Sequence, residues 1–256
     1  MKILLTYCFS IVLLTSCKQS SPQPQSTNSS PPPPTSISTY EVLLFGNSHS
    51  SVNDLPNTLA TLIRIGTGET ANTDNGPGWA FLDDRLNDGE SIAFLESRQW
   101  THLVLQGQKY STTGQFTYST DGSKEWIRRA KQQNTVPIMF PEWPRKHNFA
   151  EGAIVHAIHE SIVSEEAACL APIGLAWDST IMEYPSLTLH AADGNHSNPN
   201  GALLTAYVLY EVITKQPAND LPFIDSLGVV EQIQTILKRK ASETVASHPP
   251  CIYLPQ

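Results

Sequence analysis

Glu41-Val42-Leu43-Leu44-Phe45-Gly46-Asn47-Ser48-His49-Ser50 is an apolar run that stops at a glycine and is followed almost at once by a serine. Four to eight continuous apolar residues suit a strand covered on both faces, as in a parallel sheet. Gly46 lets the backbone turn sharply after that strand. Ser48 then falls near the start of the next helix, where backbone N–H groups can stabilise a developing oxyanion. Taken alone, the string also reads as a polar loop in which Asn47, Ser48 or Ser50 caps a helix.

A second string changes the weighing. Asp193-Gly194-Asn195-His196 lies far downstream, just before Pro199-Asn200-Gly201 opens a helical pattern. A serine hydroxyl is a poor nucleophile without a base to take its proton. The base in turn needs an acid to fix its tautomer. One tight Asp-x-x-His loop can present both groups toward the serine. By itself the loop reads as turn chemistry, with Ser197 or Asn198 as an N-cap.

Outward from these strings, short apolar runs alternate with longer amphipathic ones. Strands are expected at 41–45, 101–106, 135–140 and 170–176, with Pro137 pushing the third to an early strand position or an edge. Helices are expected at 123–133, 150–168, 199–214 and 227–245. In the second of these, Ile154, Ile158 and Ile162 form the buried stripe. The alternation predicts an α/β protein, a three-layer α/β/α sandwich with a mostly parallel sheet. Sites in such sheets form at the carboxyl ends of strands.

Serine string, Asp-x-x-His string and layout together resemble the SGNH (GDSL-type) hydrolase superfamily over the body from Tyr40 to about Thr214. The resemblance implies the flavodoxin-like SGNH hydrolase fold, Ser48 as nucleophile, His196 as general base and Asp193 as the residue that orients it. It implies an oxyanion hole built from the Ser48 N–H and a glycine N–H after the second strand region. Asn75-Gly76-Pro77-Gly78 stands there; Pro77 has no N–H, so Gly76 is expected, with Gly78 as the alternative. The family's Gly-x-Asn-Asp string is replaced by Leu105-Gln106-Gly107-Gln108. Gln106, or Gln108 close behind, would supply the missing amide. The string is similar to the Gln-Gly-Glu of sialate-type carbohydrate acetylesterases, which implies a short acyl, possibly acetyl, ester on a carbohydrate. Asn47 stands where the family usually has Asp, a mainly structural position. No cofactor and no metal are implied. The rival expectation is a catalytically silent lipoprotein that binds a glycan or another envelope protein.

Other candidates are weaker. His156-Ala157-Ile158-His159-Glu160 lacks the His-Glu-x-x-His zinc spacing and reads as a solvated helix face. Trp143 and Trp177 follow the third and fourth strands and either line a pocket or pack in the core. Asp178 competes with Asp193 as the acid, without motif-like spacing to His196.

The 256-residue chain carries a net charge of −8 and has no Lys/Arg run, which argues against a nucleic-acid partner. Residues 1–16 read as a secretory signal with Lys2 ahead of an apolar segment. Leu14-Thr15-Ser16-Cys17 resembles a lipobox, implying lipidation of Cys17 and a lipid anchor in the cell envelope. Lys18 in place of aspartate favours the outer membrane. Residues 17–38, rich in Ser and Pro, read as a tether, and 39–256 as one hydrolase-like domain. In an oxidising compartment Cys169 and Cys251 could pair. The apolar setting of Cys169 makes a buried free thiol the expectation.

Overall fold

The computed structural model describes residues 39–254. The expected signal segment, the expected lipidation site Cys17 and the expected tether lie outside the described residues. The elements are β1 (Thr39–Phe45), α1 (Leu55–Thr67), β2 (Thr70–Asn75), α2 (Leu82–Arg85), α3 (Gly89–Glu96), β3 (His102–Gln106), α4 (Asp121–Gln132), β4 (Val136–Phe140), α5 (Glu151–Glu165), β5 (Cys169–Leu170), α6 (Ile173–Glu183), α7 (Pro199–Thr214) and α8 (Glu231–Ser247). Two single 3-10 turns, 48–50 and 52–54, separate β1 from α1.

The five strands form one sheet in the order β2-β1-β3-β4-β5, and every neighbouring pair is parallel. Strand side chains alternate between faces, and here both faces are dry. Val42, Leu44, Val104, Ile138 and Phe140 enter one core, closed by α1, α6, α7 and α8. Leu43, Phe45, Leu103, Leu105 and Met139 enter the other, closed by α2, α3, α4 and α5. The three-layer sandwich expected from the alternation is therefore the fold. Because all strands run the same way, the loops after β1, β2, β3 and β4 gather at one end of the sheet. The turn before α7 joins them there, its Lys146–Gly194 and Trp143–Asn195 contacts bonding it to the segment after β4.

Several expectations are corrected. β2 is an additional strand beyond those expected: Thr70-Ala71-Asn72-Thr73-Asp74-Asn75 buries only Ala71 and carries no apolar signal. The strand expected at 170–176 is two residues long; Pro172 stops it and α6 starts at Ile173. Pro137 does occupy an early strand position, before the two residues of β4 that pair with β5. The stripe of α5 is rotated from the expected one. Ile154 is exposed, whereas Val155, His159 and Ile162 face inward at i, i+4, i+7 spacing. His159 is not on a solvated face. It is buried, and with a proton on Nδ1 it donates to the Val155 carbonyl at 2.8 Å.

The free-thiol expectation is also overturned. Cys169 and Cys251 form a disulfide across 82 residues. The segment after α8 returns along β5, where the Leu170 N–H donates to the Pro250 carbonyl at 2.6 Å. That return brings Cys251 to a strand whose local sequence shows only an apolar run.

Candidate active site

Ser48 opens the 3-10 turn after β1, where Asn47 acts as the cap and its Oδ1 accepts from the His49 N–H. The Ser48 hydroxyl stands 2.8 Å from His196 Nε2. His196 Nδ1 stands 2.6 Å from Asp193 Oδ2. A carboxylate can only accept, so the Nδ1–H donates to Asp193 and Nε2 is left to accept from Ser48. The Asp-x-x-His turn orders itself: Asp193 Oδ1 accepts the N–H groups of Asn195 and His196, each at 2.9 Å. Gly194, at φ +72°, supplies the left-handed residue the turn requires. The His196 hydrogen bond, followed by those two peptide N–H groups, holds the Asp193 carboxyl well below the usual carboxylate range. Asp178 takes no part. Its side chain makes no hydrogen bond among the described residues, and burial pushes its carboxyl up to about 6.

The expected oxyanion donors fare differently. The Gly76 N–H is already given to the Leu44 carbonyl at 2.8 Å as the sheet ends, so it cannot serve. Gln106 is fully buried; its Nε2 donates to Glu142 Oε1 at 2.6 Å and its Oε1 accepts the Asn47 N–H at 2.8 Å. Gln108 donates to the carbonyls of Lys109 and Ser119 and accepts from the Ser123 hydroxyl. Both glutamines hold the scaffold, and neither amide is aimed at the serine as a donor. The Ser48 N–H and the alternative Gly78 N–H donate to no group among the described residues.

Four residues not singled out from sequence support the site. Arg85, buried, donates from Nη2 to the carbonyls of Gly46 and Gly78, at 2.7 and 2.8 Å, clamping two loops together. Asn53, at φ +52°, donates to the Ser197 carbonyl at 2.7 Å and joins the serine segment to the histidine turn. His49 stacks on His196. Glu142 holds Gln106. Their polar side chains look like ordinary loop chemistry in sequence; only the left-handed Asn53-Asp54 pair leaves a faint trace, in two residues that tolerate that conformation. Trp143 and Trp177 are buried and stacked with centroids 4.6 Å apart, and the Trp143 Nε1–H donates to the Asn195 carbonyl.

Beside the histidine turn lies a cavity of about 460 Å³. Phe149, Ile181, Met182, Leu187 and Leu189 make it largely apolar, and Asp178 is its lone carboxylate.

No protein-family model and no curated protein matches the chain. Solved structures do. A protein of Slackia heliotrinireducens assigned as an SGNH hydrolase superposes with a TM-score of 0.53 at 22% identity, covering 68% of this chain and 98% of its own. A DUF4886 family protein of Bacteroides uniformis gives 0.67 at 16% identity, covering 83% and 96%. The psychrotrophic esterase EstA of a Pseudoalteromonas species gives 0.50 at 15% identity, covering 69% and 97%. The chain has the SGNH hydrolase fold.

Proposed function

We propose that the protein is a serine esterase. The observation that carries this reading is the continuous contact from Ser48 Oγ to His196 Nε2 and from His196 Nδ1 to Asp193. His196 takes the Ser48 proton as the oxygen attacks an ester carbonyl. Asp193 stabilises the imidazolium that forms. Of the expected donors, the N–H groups of Ser48 and Gly78 are uncommitted and would receive the oxyanion. His196 then returns the proton to the leaving alcohol, and water repeats the sequence to free the acid. The likeness to solved structures supports the fold on which this chemistry would be mounted.

For the substrate class, the resemblance of the Gln106-Gly107 string to carbohydrate acetylesterases implies a short acyl ester, such as an acetyl group on a carbohydrate. Anchoring through Cys17 at the outer membrane is part of the same proposal, and the Cys169–Cys251 disulfide is the pairing an oxidising compartment permits. A silent glycan- or protein-binding lipoprotein is the second reading, favoured by the commitment of Gly76, Gln106 and Gln108 to other partners.

The test is hydrolysis of p-nitrophenyl acetate and labelling by a fluorophosphonate. Ser48→Ala should abolish labelling and lower kcat by about 10⁴-fold or more. Equal labelling of wild type and Ser48→Ala would sink the esterase. A panel of acetylated sugars then separates carbohydrate esters from simple ones.

A further inference from the structure

Asn47, Gln106 and Glu142 stand in a row across the carboxyl ends of three adjacent strands. Asn47 lies two residues after β1, Gln106 ends β3, and Glu142 lies two residues after β4. The strand register sets the row: Phe45 is opposite Leu105, and Gln106 is opposite Phe140. Gln106 and Glu142 are both buried. The Asn47 N–H fixes the oxygen of the Gln106 amide, which obliges its nitrogen to face Glu142, and Glu142 Oε1 accepts it. Gly46 leaves the space for this: a Cβ there would fall 2.2 Å from Gln106 Oε1.

The residue after Glu142 reaches the other half of the site. Trp143 donates to the carbonyl of Asn195, the neighbour of His196. Two consecutive residues of one strand end therefore hold the turn that carries the nucleophile and the turn that carries the base.

We propose, on the serine-esterase reading, that Glu142 is a positioning residue for the nucleophile: acting through the Gln106 amide, it fixes the Asn47 peptide and thereby the placement of the Ser48 N–H and Oγ against His196. Glu142 itself touches no reacting atom. A carboxyl suits this task because its Oε1 accepts from the Gln106 amide, most strongly when ionised, while its other oxygen can carry the proton that burial favours. Burial pushes the Glu142 carboxyl up to about 7, and the Gln106 and Asn47 side chains offset only part of that rise. The other charge felt at Glu142 is Glu151, which Arg145 pairs at 2.8 Å; the nearby Tyr110 hydroxyl donates to the same Glu151.

The experiment compares Glu142→Leu, Glu142→Gln, Gln106→Met and the Glu142→Leu/Gln106→Met double variant in the full-length protein, with circular dichroism as the check of folding. Glu142→Leu should lower kcat for p-nitrophenyl acetate by about 10²-fold with KM nearly unchanged, the scale of an ångström-sized misplacement. Glu142→Gln keeps an acceptor oxygen and should recover most of that loss. The double variant should be no worse than either single one, because both break the same chain. Losses that multiply, or a glutamine no better than leucine, would show a merely structural role and overturn the proposal. If Glu142→Leu does not fold, Gln106→Met decides alone: kcat close to wild type overturns, and a kcat-only loss supports. Wild-type activity that does not depend on Ser48 removes the esterase reading and this proposal together. Ser48-dependent activity with an unaffected Glu142→Leu removes this proposal only.

Discussion

The imidazole of His49 stacks on that of His196, with centroids 5.2 Å apart and planes 25° from parallel. Trp143 packs against His49 at 4.9 Å, tilted by 52°, and stacks in turn on Trp177, so the base belongs to a chain of contacting rings. Burial, and then the neighbouring His196, push His49 down to about 4. His49 is therefore neutral when His196 takes up a proton, and no like charge opposes the imidazolium. His49→Ala should lower kcat by about 10-fold or more through looser placement of the base. His49→Phe keeps a flat ring and should recover much of it. Equal kcat values for His49→Ala and wild type would refute the buttress.

Gly46 is the tightest point of the site. A methyl group there would meet Gln106 Oε1 at 2.2 Å and Ser50 Oγ at 2.6 Å. Gly46→Ala must push the Gln106 amide off the Asn47 peptide or move the serine turn. The expected outcome is a loss of esterase rate near that of Gln106→Met, with secondary structure retained by circular dichroism. Full activity in Gly46→Ala would mean the turn tolerates what its packing forbids.

Two buried groups give stability opposite pH dependences. Burial pushes His159 down to about 4 from 6.5. Between those values the unfolded chain binds a proton that the folded chain refuses, so stability falls as pH drops through this window. Burial pushes Glu142 up to about 7 from 4.5. Here the folded chain holds the extra proton, so stability is lost as pH rises from about 4.5 to 7. In urea titrations, Glu142→Gln should gain on wild type as pH rises through the second window. His159→Leu should lose less than wild type as pH falls through the first. A constant difference across either window would contradict the corresponding assignment.

The Cys169–Cys251 bridge closes a loop of 82 residues. Chain entropy alone assigns a bridge of that span about 4.5 kcal/mol. Cys169→Ser/Cys251→Ser should unfold at distinctly lower denaturant, and dithiothreitol should shift wild type but not the double variant. Insensitivity of wild type to reductant in the unfolding transition would show the bridge absent.

How much of this was legible in sequence depends on how local each signal is. β1, the serine turn and the Asp-x-x-His turn are read directly, because strand pattern, glycine and turn chemistry lie within a few residues of each other. β2 is invisible, since an edge strand with one buried residue has no apolar alternation to show. The α5 stripe misled: isoleucines at four-residue spacing satisfied the helical period, yet tertiary packing turned Val155 and His159 inward. Gln106 was recognised as an amide in the right place, but its buried partners lie 36 and 59 residues away in sequence. Those partners turn a presumed donor to substrate into part of the frame. Glu142, set between Pro141 and Trp143, looks like a loop carboxylate until β3 and β4 are laid side by side.

Sheets have two edges, and a neighbouring molecule can add a strand to either. On one side of this sheet is β2, whose exposed residues are Thr70, Asn72 and Asn75. On the other is β5, two residues long, with Leu170 already bonded to Pro250 and Cys169 tied to Cys251. One edge is wetted by polar side chains and the other is sealed by the chain's own returning segment. Neither offers the long, flat, apolar ladder on which intermolecular sheets grow. The sheet is thus closed to strand addition by composition at one edge and by a covalent staple at the other.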